Sequence, residues 1–159
     1  MVRWVAAALW SITAALTWTA TASAEPPVPQ PGTPCEPNLA AAMTWPTEAK
    51  VPLECTGGSW QPVETPYPLS DRWVSFGPAM RLHGEGLRNK VIDSGDWTAT
   101  PLTLDARCRA EQLPNVPGVG VGPPKVDEGA PGQVLSLEVV PKLFSIDMTG
   151  NCLWQKADG

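Results

Sequence analysis

Histidine occurs once in the 159 residues, at His83, and tyrosine once, at Tyr67, with only two phenylalanines. A lone histidine argues against the multi-histidine sets of catalytic zinc, and the cysteines stand singly rather than at the short spacing of zinc pairs, so no metal or cofactor is expected. The Gly-x-Ser-x-Gly nucleophile elbow is absent. Gly84-Glu85-Gly86 lacks the third glycine of a nucleotide loop. Basic clusters are missing too: the formal charge is −5, and the nearest group, Arg81, Arg88 and Lys90, is interrupted by Glu85. No nucleic-acid partner is expected, because phosphate binding needs a basic face.

The chain does contain an uncharged N-terminal run. Arg3 precedes an Ala-, Leu- and Trp-rich stretch that closes on Ala22-Ser23-Ala24, the small-x-small pattern of a signal-peptidase site. The run approaches the ~20 residues of a membrane span, but Ser11, Thr13, Thr17, Thr19 and Thr21 dilute it. No cysteine follows Ala24 directly, which argues against a lipid anchor. The reading is a signal peptide over 1–24, a Pro-rich tether over 25–37 and a single domain over 38–159, secreted or held in the cell envelope without a membrane span after cleavage.

Four cysteines in a short exported chain read as a disulfide framework. Three connectivities of Cys35, Cys55, Cys108 and Cys152 are open. Cys35–Cys55 with Cys108–Cys152 is preferred because it ties each half of the chain to itself.

Short apolar runs broken by Gly, Pro, Asn and Asp predict a mainly β fold, a small antiparallel sandwich or barrel-like domain with one or two short helices. The helices are expected over 39–43, capped by Asn38, and over 103–113. Residues 114–132, crowded with Gly and Pro, read as a long loop. Arg72–Gly77 is expected to alternate, with Trp73 and Ser75 opposite Arg72, Val74 and Phe76. Met80 and Leu82 should point inward, with Arg81, His83 and Glu85 on the opposite face. A short strand is expected at Trp97–Thr100. Runs 134–140 and 143–148 predict strands broken at Pro141, and Thr149-Gly150-Asn151 predicts a hairpin turn into Cys152-Leu153-Trp154.

His83, between Arg81 and Glu85, is the one side chain that titrates near neutrality without help. Arg81, His83 and Glu85 are therefore candidate ligand contacts. A small envelope hydrolase using His83 with Glu85 or Asp96 is the alternative. Asp93 and Asp96 flank a Ser-Gly and read as turn chemistry. Trp45, Trp60, Trp73, Trp97 and Trp154 lie beyond Ala24. Most should fill the core, while Trp45 and Trp60, beside prolines, are expected to be exposed and available for stacking.

The Ala22-Ser23-Ala24 ending, the Pro-rich start, Cys55-Thr56-Gly57-Gly58, Ser94–Pro101 and Gly150-Asn151-Cys152-Leu153-Trp154 together resemble uncharacterised small exported proteins of mycobacteria and their actinobacterial relatives. The resemblance implies release to the envelope or medium and transfers no catalytic residue. With no catalytic constellation in view, the expected function is a non-enzymatic extracytoplasmic binding or interaction module for an envelope or extracellular ligand.

Overall fold

The computed structural model describes residues 27–157, so the expected export segment and its cleavage point lie outside the described residues. Runs of β-formers between turn residues become strands. In chain order they are β1 Met43–Thr44, β2 Leu53–Thr56, β3 Ser59–Pro62, β4 Arg72–Ser75, β5 Met80–His83, β6 Gly95–Pro101, β7 Arg109–Val116, β8 Gly120–Val121, β9 Lys125–Glu128, β10 Leu135–Val139, β11 Leu143–Thr149 and β12 Cys152–Lys156. They build the expected mainly β, sandwich-like fold. One sheet runs β10-β6-β12-β4-β1-β2-β3, and the other runs β5-β11-β7-β8 with β9 also on β7. The pairings are antiparallel except β1 with β4.

Successive side chains on a strand leave by opposite faces, and the central strands of the larger sheet bury both. Trp73 and Trp154 enter the main core with Trp97, Leu82, Ile146 and Met148. Their neighbours Val74 and Leu153 enter a second cluster on the far face with Leu39, Leu53, Cys55 and Trp60. The expected alternation of β4 holds, with Trp73 and Val74 in opposite clusters, and two-sided burial leaves Trp73, Val74 and Ser75 all buried. On β5 the alternation is as expected, with Met80 and Leu82 buried and Arg81 exposed.

Both preferred disulfides are present. Cys35–Cys55 fastens the N-terminal segment to β2, and Cys108–Cys152 joins the residue before β7 to the start of β12, tying one sheet to the other. Gln112, fully buried on β7, adds a polar tie. Its amide donates to Glu138 O at 2.9 Å and to Asp127 Oδ2 at 3.1 Å, and its oxygen accepts the Val140 N–H at 2.9 Å.

Several expectations are corrected. In place of a helix over 39–43 there is a 3-10 turn at Pro37–Leu39. Ala41 takes φ 59°, and Met43 joins β2 and β4, so sheet contacts override alanine's helix propensity. In the 103–113 stretch β7 replaces the helix: Cys108, Ala110 and Gln112 are buried at a period of two, while Leu104 is 94% exposed. The expected loop 114–132 contains the end of β7 together with β8 and β9, which fold back on β7. The C-terminal hairpin is absent as well. β11 pairs with β5 and β7, whereas β12 sits between β6 and β4. Gly150-Asn151 is therefore a crossover between sheets, and Gly150 takes φ 98° there with no room for a side chain against the Arg107 carbonyl.

Candidate ligand-binding cleft

β1 stops at Thr44 because Pro46 has no N–H to continue a ladder. The chain turns instead, with Ala49 N–H donating to Pro46 O at 2.8 Å and the Trp45 indole Nε1 donating to Ala49 O at 3.2 Å. A second wall comes from the β4–β5 turn, where Gly77 at φ 67° reverses the chain. The two walls are stitched together. Thr47 Oγ1 donates to Ala79 O at 3.2 Å, and the Trp45 N–H donates to Met80 Sδ at 3.3 Å.

The third wall is the Pro-rich segment, which is not a free tether over its described part. Gly32 N–H donates to Trp60 O at 2.8 Å, Trp60 N–H to Thr33 O at 2.9 Å and Cys35 N–H to Gly58 O at 3.0 Å. These bonds cover the outer edge of β3, and the Cys35–Cys55 bridge anchors them. Val28 to Pro31 is thereby held against the other two walls.

The three walls enclose a cleft of about 590 Å³. Trp45, Val51, Leu53, Phe76 and Met80 line it with Pro29, Pro31, Pro46 and Pro78, and Glu48 and Lys50 supply the charged side chains. Trp45 is half-buried and meets Tyr67 edge to face, with ring centroids 5.1 Å apart at 77°.

Of the side chains singled out from the sequence, Trp45 alone lines this cleft. Trp60, expected at the surface, is 2% exposed. It stands edge to face with Phe76 at 6.0 Å, because β3 is covered by β2 on one side and by the Pro-rich segment on the other. Arg81 makes a two-pronged contact with Asp147 across the β5–β11 pair, at 2.7 and 2.6 Å, which raises the guanidinium pKa further. His83 faces Ser145 in register. Glu85 accepts from Ser94 Oγ at 2.9 Å and from the Lys142 N–H at 3.5 Å. The Ser94 hydroxyl foremost holds its carboxyl below the ordinary range; desolvation opposes it, and the Lys142 and Ser94 amides and the charge of Lys90 add smaller contributions in the same downward direction.

Asp93 pairs with Lys90 at 2.6 Å and with Lys156 at 3.8 Å. The Asp93 contact raises the Lys90 pKa. Asp96 lies opposite Glu138 in the β6–β10 register. Among the described residues no hydrogen bond or ion pair joins His83 to Glu85 or to Asp96, and none of the three lines the cleft. No cluster of three or more His, Cys, Asp or Glu there is placed to hold a metal ion.

Sequence reasoning missed Phe76, Pro78, Met80 and the cleft-facing role of Pro29 and Pro31. Prolines close to aromatics, Trp45-Pro46 and Phe76-Gly77-Pro78, were the available signal, but its three segments meet only through the sheet order. No family model, curated protein or solved structure matches the chain.

Proposed function

We propose that this protein is an exported, non-enzymatic binding module acting outside the cytoplasm, and that the cleft under Val28 to Pro31 is where its ligand sits. The observation that carries the reading is the cleft itself: about 590 Å³ walled by Trp45, Phe76, Met80 and prolines, within the size and character of small-molecule sites. Export is supported by the Ala22-Ser23-Ala24 ending and by two disulfides, which persist in oxidising compartments. No helix among the described residues is long and apolar enough to cross a membrane.

The test fills the cleft. Ala79 is exposed and contributes to the lining, so Ala79→Trp places an indole in the space without replacing a residue of either core cluster. Native mass spectrometry of protein exported from a bacterial host should show a small-molecule adduct on the wild type that is lost from the variant, with both giving the same circular dichroism. Identical adduct patterns would overturn the assignment.

A further inference from the structure

Taking the cleft as the binding site, as proposed above, we infer that its ligand is a single-chain acyl amphiphile with a head group of no net charge.

Apart from the exposed side chains of Gln30, Glu48 and Lys50, the wall has few hydrogen bonds left to offer. Pro29, Pro31, Pro46 and Pro78 have no backbone N–H. The Trp45 indole is spent on Ala49 O and its backbone N–H on Met80 Sδ. The Thr47 hydroxyl is spent on Ala79 O, and that of Thr44 points to Met80 Sδ at 4.0 Å. A sugar entering between Trp45, Phe76 and Met80 would surrender its water there with few donors in exchange, and burying an unpartnered hydroxyl costs about 1–3 kcal/mol in proteins. An acyl chain needs no polar partner and gains from every methylene it hides.

The rim sets the head group. Glu48 and Lys50 are both exposed, and neither forms an ion pair among the described residues. One charge of each sign complements a zwitterionic head and tolerates a neutral one. An anionic head would meet Glu48 in a chain whose formal charge is already −5.

Calorimetric titration of the full exported protein, below the micelle threshold, compares palmitoyl-lysophosphatidylcholine, monopalmitoylglycerol, palmitate and a malto-oligosaccharide. The first two should bind. Palmitate should bind roughly tenfold more weakly, and the oligosaccharide not at all. Ala79→Trp should abolish binding. Lys50→Glu, an exposed change that leaves the fold intact, should weaken the lysophosphatidylcholine several-fold and monopalmitoylglycerol by clearly less. Oligosaccharide binding that Ala79→Trp abolishes would overturn the ligand class while keeping the cleft as the site. Amphiphile binding indifferent to Ala79→Trp would overturn the site as well. Silence from both neutral-head amphiphiles would overturn the ligand class alone, since the adduct measurement tests the cleft independently.

Discussion

Trp154 and Ser75 meet across the β12–β4 pair: the indole Nε1 donates to Ser75 Oγ at 2.9 Å, and that hydroxyl donates to the Gly150 carbonyl at 2.7 Å. Both residues are fully buried, so the serine relays one hydrogen bond from the core to the crossover between sheets. Ser75→Ala leaves an indole N–H and a carbonyl without partners and should cost about 2 kcal/mol. Urea unfolding measures it through a lowered midpoint at constant slope. A change below about 0.5 kcal/mol, the scale of an ordinary surface substitution, would mean the relay contributes nothing.

Gln112→Leu is nearly volume-conserving, yet it should destabilise by about 1–2 kcal/mol because the Val140 N–H loses its buried partner, while the Glu138 carbonyl keeps the Lys125 ammonium at 2.9 Å. Its loss is local to the β7–β10 contact. Hydrogen exchange should therefore accelerate at Val140 before it does at the β12–β4 pair.

Glu85 gives a pH signature. Its carboxyl titrates below the ordinary value in the folded state, so the folded chain binds that proton less tightly than the unfolded chain. The associated stabilisation is complete above the unfolded value, about 4.3, and is lost as pH falls through the folded one. Glu85 is exposed, so the effect should stay well under about 1 kcal/mol. Wild type should exceed Glu85→Gln in melting temperature near pH 7, and the gap should shrink towards pH 3. A gap that widens on acidification would contradict the Ser94 and Lys142 contacts.

The two disulfides should separate in effect. Their sequence separations are 20 and 44 residues, for which loop closure gives about 3 and 4 kcal/mol respectively. Replacing Cys108 and Cys152 by alanine should bring the protein close to unfolding, since a small domain is stable by only about 5–15 kcal/mol. Replacing Cys35 and Cys55 should leave the sandwich folded but loosen the Pro-rich wall of the cleft. Limited proteolysis reads this as new cuts confined to residues before β1. Global digestion of that variant would show instead that the second cluster is indispensable.

The β class, the cysteine pairing and the inward set Met80 and Leu82 were legible because each depends on local alternation or on chain separation. Strand β7 was hidden because its buried face is Cys108, Ala110 and Gln112: a sulfur, a methyl and an amide do not register as hydrophobic alternation. The β11–β12 turn misled for a different reason. Gly150-Asn151 has hairpin chemistry, and only the partners of each flanking strand reveal that the chain changes sheets there. Trp45 could be singled out as an aromatic beside a proline, but the other two walls of its cleft come from residues about fifteen before and about thirty after it, whose meeting depends on long-range pairing.

Placing β12 in the interior of the larger sheet has a kinetic consequence. β6 and β4 cannot close that sheet until the strand that separates them in space, although it follows both in the chain, has been made. Such non-local pairing is slow, so a growing chain stays loose until β12 arrives. Looseness of that kind keeps a polypeptide threadable, which suits the proposed passage through a narrow translocation channel before its sulfurs are joined.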